Sequence, residues 1–265
     1  MCSSDLALEI TDWRGVFWGL AAFTAVAAAL LYRVVPERDA GDRHASLRDA
    51  LAGVGQVFKS RAFWRVAPWT MTSQSTFLAV QTLWVGPWLM DVAGLDRHGS
   101  ALYLFWIAAA MTVGYLVWGV VAERLYRWLQ VRPISIAAFG MLLFMAAQLV
   151  IATEWVVAWQ ASLPGAVLGA WLVFGFSGTA GVLPYAALSQ AFPAKLAGRV
   201  NTGLNLIVFI FAFVGQWAAG AIIDLWQPSA AGAYAPEGFR AAFGLFFGLQ
   251  VLAACWFWIQ RRIHL

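Results

Sequence analysis

Seven stretches of about twenty mostly apolar residues dominate this chain, at roughly 13–35, 64–90, 101–122, 134–153, 163–188, 200–223 and 241–260. Each is long enough, as a helix, to cross the hydrocarbon core of a bilayer. No Asp, Glu, Lys, Arg or His sits in the middle of any of them. Backbone polar groups in lipid must be paired within their own segment, so such runs are expected to be helices. They also lack the period-two alternation of membrane-barrel strands. The expected fold is therefore an all-α membrane protein with seven transmembrane helices. Composition agrees, since 62% of the 265 residues are hydrophobic and only 11% are charged. A soluble domain carries about 25% charged residues. Sixteen tryptophans suit a bilayer interface.

Lys and Arg outside the spans set the orientation. One side receives Arg33, Arg38, Arg43, Arg48, Lys59, Arg61 and Arg65, then Arg124, Arg127, Arg132, Lys195, Arg199, Arg261 and Arg262. The other side receives only Arg14, Arg97 and Arg240. By the positive-inside rule the first side is cytoplasmic. The C-terminus is then cytoplasmic and the tail 1–12 is outside, in a multi-pass protein of the cell membrane, expected to be a bacterial inner membrane. The net charge of +4 is read as topology, and no nucleic-acid partner is expected. Cys2, Cys255, His44, His98 and His264 have no metal-ligand spacing, so neither metal nor cofactor is expected.

The only long polar interval is 36–62. It begins PERDAGDRHAS and turns amphipathic in SLRDALAGVGQVFKS, with Leu47, Leu51, Val54 and Phe58 at helical spacing. This reads as a helix lying along the cytoplasmic membrane surface; a solvated linker is the alternative. One span (13–35) precedes the interval and six (63–265) follow.

Two of those six end alike. GYLVWGVVAERL carries Gly114, Gly119 and Glu123; GQWAAGAIIDLW repeats the spacing as Gly215, Gly220 and Asp224, 101 residues later. No other place in the chain fits that skeleton. The two copies close the second helices of consecutive triplets and face opposite sides of the membrane. Three-helix units inserted in opposite directions are the signature of an inverted repeat.

These residues resemble the major facilitator superfamily of transporters. That family's signature between the second and third helix of a triplet runs Gly, three residues, an acid, a base, then Gly and further bases. Gly119, Glu123, Arg124 and Arg127 match it as a cytoplasmic gate motif, while Tyr126 stands for the glycine and Trp128 for a base. SQAFPAKLAGRVNTGLNLIVF, residues 189 to 209, is similar to the family's cytoplasmic link into its eleventh helix. The resemblance implies that the seven spans are helices six to twelve, the last six forming one half as two inverted three-helix repeats. It implies alternating-access transport of a small organic solute, with the missing amino-terminal half as partner beside membrane lipid. The opening MCSSDL can be encoded by the tail of a common sequencing adapter, so residues 1–6 read as artefact at the head of a truncated gene model.

Uncharged polar residues nominate a pathway. Thr70, Gln74, Phe77, Gln81, Trp84 and Trp88 share one helical face, mixing amides and aromatics as a solute-reading pore would. Asn201, Asn205, Phe209, Ala212 and Gln216 form a second stripe. Tyr185 follows Pro184, which should kink the fifth span, as Gly86 and Pro87 should bend the second. Gln74, Phe77, Gln81, Trp84, Tyr185, Asn205 and Gln216 are thus the expected substrate contacts. Interhelical hydrogen bonding competes for the amides, and an interfacial anchor for Tyr185. A retinal protein would need a lysine in 241–260, which has none, and an intramembrane enzyme would need charged groups inside the spans. A permease is expected rather than an enzyme, with a seven-helix receptor or scaffold, or a fragment inactive alone, as alternatives.

Overall fold

The computed structural model describes residues 13–34, 47–228 and 232–262. Among these, every regular element is helical. They are α1 (Trp13–Val34), α2 (Leu47–Lys59), α3 (Arg61–Ala79), a π-helical turn (Val80–Trp84), α4 (Val85–Asp91), α5 (Arg97–Leu129) and α6 (Pro133–Ala152). Then follow α7 (Trp155–Trp159), α8 (Ala166–Gly178), a 3-10 turn (Thr179–Val182), α9 (Leu183–Gln190), α10 (Ala194–Ile223), α11 (Pro236–Ile259) and a closing 3-10 turn (Gln260–Arg262). The expected tail 1–12 and the polar interval up to residue 46 lie outside the described residues, apart from the amphipathic helix, which is α2.

Six helices are long and apolar enough to cross a membrane, at 17–34, 97–129, 133–152, 166–190, 194–223 and 236–262. The expected span 64–90 is helical throughout but is not among the six. Its Thr70–Thr76 stretch dilutes the apolarity, and the π turn divides it. The chain forms two compact units, 1–52 and 53–265, with the boundary inside α2. In the first unit, none of the Phe17–Val34 stretch is buried.

In the second unit, α3 packs against α10 and α11, while α8 packs against α5 and α6. Helix α6 also meets α11 and α9, and α9 meets α10. Helix starts and stops follow local chemistry. Asp96 caps α5 by accepting from the Gly99 amide at 2.8 Å, and Gln130 ends it in the left-handed conformation (φ 53°). Pro133 opens α6 at a position where no amide hydrogen is needed.

Lipid tails are as apolar as leucine, so burial of side chains drives helix association here less than close packing and interhelical hydrogen bonds do. Aromatic rings provide the packing. Trp88 meets Trp171 at 5.2 Å, Trp171 meets Phe174 at 5.1 Å, Phe174 meets Phe144 at 4.8 Å, and Phe77 lies 5.9 Å from both phenylalanines. A second core gathers Phe63, Trp69, Met141, Leu204 and Phe257. The hydrogen bonds come from glutamines. Gln250 donates to Gln148 Oε1 (2.6 Å) and accepts from the Ser73 hydroxyl (3.2 Å), while Gln148 donates to the Phe243 carbonyl (3.0 Å). All three side chains are buried, and the chain of bonds ties α3, α6 and α11.

Candidate functional site

Two helices of the second unit are broken, each just before a proline. Pro87 cannot donate to the Leu83 carbonyl four residues back. Immediately upstream the helix widens to a π turn, in which Val85 donates to the Val80 carbonyl. Pro184 likewise cannot serve the Ala180 carbonyl, and Leu183 takes its place, tightening Thr179–Val182 into a 3-10 turn. The sequence located both interruptions through their prolines, and the structure puts the irregular turn on the amino-terminal side of each.

Side chains from neighbouring helices bind the carbonyls beside these breaks. Gln74 on α3 donates to the Gly178 carbonyl at 2.9 Å. The Trp118 indole on α5 donates to the Phe176 carbonyl at 3.0 Å, which also accepts from the Thr179 hydroxyl at 2.6 Å. Glycine makes this approach feasible. A Cβ on Gly178 would run into the Phe77 ring, and one on Gly181 would run into the Gln74 amide. The π turn is tied to α10 instead. Trp84 donates to the Gln216 carbonyl (3.3 Å), and the Gln216 amide donates to the Thr82 hydroxyl (2.7 Å).

The nominated substrate contacts therefore separate into two groups. Gln74, Phe77 and Trp84 are buried within the second unit and engaged in helix–helix contacts. Gln81 and Gln216 are half-buried, Asn205 is exposed, and Tyr185 is half-buried against the second core. None of the seven lines the three cavities that follow. A cavity of about 570 Å³ is bounded by apolar residues of α6, α7 and α8, such as Val150, Trp159 and Val173. One of about 460 Å³ lies where α2 meets α3, beside the end of α11. A third, of about 140 Å³, separates α3 from α10 and α11.

The residues expected to form a gate motif lie at the surface. Glu123 pairs with Arg127 one turn along its own helix at 3.0 Å, with both side chains more than half exposed. Arg124 sits 6.0 Å over the Trp128 ring. Of the repeated glycines, an added Cβ would collide with Thr179 and Phe176 at Gly114, press on Trp84 at Gly220 and reach ordinary contact with Phe246 and Ala79 at Gly215, whereas at Gly119 it would meet open space.

Several working residues escaped the sequence reading. Gln148 and Gln250 are lone amides in apolar runs, a signal that was present but has no periodic companion. Glu154 takes a left-handed conformation (φ 59°) and pairs with Arg240 at 2.9 Å, joining the start of α7 to α11. Trp256 donates to the Trp64 carbonyl at 2.7 Å. That carbonyl is the one Pro68, inside α3, cannot serve, so the proline foretold a donor without naming it. No protein-family model matches this chain, and no curated protein matches it either.

Proposed function

We propose that this chain is part of a membrane transporter working by alternating access, with 61–91 as a further span and the six spans 61–91, α5, α6, 166–190, α10 and α11 arranged as two inverted triplets of the major facilitator kind. The observation that carries the reading is an exchange symmetry in the packing. In the first triplet, the helix 61–91 packs on α10 and α11 of the second; in the second triplet, α8 packs on α5 and α6 of the first. The two third helices, α6 and α11, meet each other. Swapping the triplets leaves this set of pairings unchanged, as a two-fold axis in the membrane plane would require. The first helix of each triplet is also the broken one, and interrupted helices at corresponding positions point to a transport site.

On this reading Gln74, Phe77 and Trp84 build the wall. The polar groups left for a small organic solute are Gln81, Thr82, Gln216, Asn205 and Tyr185. Gln81 and Thr82 sit on the π turn, whose looser backbone is suited to shifting register when the helix bends. Gate residues Glu123, Arg124 and Arg127 end α5 on the side carrying most bases, where the positive-inside rule puts the cytoplasm.

Vesicles reconstituted with the purified chain provide the test, by uptake of a panel of small polar organic solutes. Saturable accumulation of at least one solute, reduced several-fold by Gln81→Ala and Gln216→Ala, is the expected outcome. Uptake no greater than in protein-free vesicles would leave the receptor, scaffold or inactive-fragment readings in its place.

A further inference from the structure

The cavity of about 460 Å³ at the junction of α2 and α3 is unlike the others in its lining. Its walls are Lys59, Ser60, Arg61, Trp64, Arg65, Trp256 and Gln260. Three of these seven are cations and none is an acid. Arg132 lies within electrostatic reach of Arg65. The Arg65 guanidinium is held over the Phe257 ring at 4.9 Å, so it is fixed beside the cavity. Ser60 and Arg61 begin the 19-residue helix α3, and the Ser60 hydroxyl makes no capping bond to the first-turn amides. Such a helix start adds partial positive charge to that of the three side chains.

The surroundings suit an amphiphile. Trp64 and Trp256 border the cavity, both partly exposed, and indoles of that kind sit at headgroup level. Trp256 is fixed there by its bond to the Trp64 carbonyl, and the Trp64 indole by its bond to the Phe58 carbonyl at 2.6 Å. From Trp256, the exposed Leu252 and Leu249 continue the same face of α11 away from the cavity. From Trp256 to Leu249 the helix rises about 10 Å at 1.5 Å per residue, which gives an acyl chain an apolar track toward the bilayer interior.

We propose that this cavity binds the phosphate of an anionic phospholipid headgroup, with Lys59, Arg61 and Arg65 as its cationic contacts and one acyl chain lying along Leu252 and Leu249. The site depends on membrane residence and not on transport. Basic pockets between spans on the cytoplasmic side hold such headgroups by this same chemistry.

The test titrates dioleoylphosphatidylglycerol into the full chain in a neutral detergent and counts bound lipid by native mass spectrometry. One saturable lipid is expected to bind in preference to dioleoylphosphatidylcholine. The Lys59→Gln/Arg61→Gln variant should bind it about thirtyfold more weakly, with its lipid-free melting temperature unchanged, since both residues are exposed. Arg61→Lys, which keeps the charge, and Lys195→Gln, a cation elsewhere on the same expected side, should bind as the wild type does. The proposal is overturned if the double variant retains full affinity, or if Lys195→Gln weakens binding as much. It is equally overturned if phosphatidylcholine binds as tightly, or if excess inorganic phosphate displaces the lipid and so marks a soluble-anion site.

Discussion

Trp256, Trp64 and Pro68 show how a single residue can open a gap in a helix that a distant residue then fills. Pro68 removes one rung of the α3 ladder and leaves the Trp64 carbonyl without its backbone donor. The Trp256 indole supplies the missing hydrogen from α11. Trp256→Phe should therefore lower stability by about 1 kcal/mol, read by unfolding in detergent micelles. In a Pro68→Ala background the backbone recovers its own donor, so the same substitution should cost measurably less. Equal costs in the two backgrounds would show that the indole acts through packing alone. Gly181 supports a second residue-scale prediction. Because an added Cβ there meets the Gln74 amide, Gly181→Ala must displace Gln74 or push α3 from the broken helix. A loss on the order of 1–3 kcal/mol is expected, whereas Gly169→Ala, which meets open space, should be neutral or slightly stabilising.

Among the elements, the amides of Gln148 and Gln250 bind α6 to α11 and, through Ser73, to α3. Replacing one glutamine strands the partner's buried polar atoms, while replacing both removes the demand along with the supply. Gln148→Leu and Gln250→Leu should each destabilise by about 1–2 kcal/mol. The double substitution should cost clearly less than their sum, as measured by a double-mutant cycle. Additive losses would mean that the two amides do not depend on each other. Helix existence was legible in the sequence because twenty-residue apolar runs admit little else. Ends were less so. The apolar stretch 101–122 stops where lipid would stop, but α5 continues to Leu129, its polar last turns carrying the Glu123–Arg127 pair. The stripe expected as a pathway was legible only in part. Periodicity gathered Thr70, Gln74, Phe77, Gln81, Trp84 and Trp88 on one face, and all but the half-buried Gln81 are buried. It could not say what that face meets, because in a membrane protein the lipid-facing and helix-facing sides are both apolar. Pro87 and Pro184 announced the two breaks. Which turn would widen and which would tighten depended on the carbonyl partners offered by other helices.

At the scale of the whole molecule, the packing pattern and the repeated Gly-Gly-acid endings make the same demand. If the triplets are inverted copies, the equivalent ends of their second helices must emerge on opposite membrane faces. Glu123, at the end of α5, and Asp224, capping α10, mark those two ends, and both are exposed. With Cys2 and Cys255 replaced by serine, single cysteines at Glu123 and Asp224 can be probed with a membrane-impermeant maleimide. The distribution of bases puts Glu123 inside. Glu123→Cys should then be labelled only after the cells are permeabilised, and Asp224→Cys in intact cells. Neither substitution removes a buried contact, so both proteins should fold. Labelling of both cysteines from one side is incompatible with a pseudo-dyad in the membrane plane. It would reduce the paired breaks at Pro87 and Pro184 to two unrelated accommodations of proline and leave alternating access without its structural basis. Opposite labelling would make the two breaks equivalent by symmetry, so that a hinge found at the π turn should have its counterpart at Thr179–Val182.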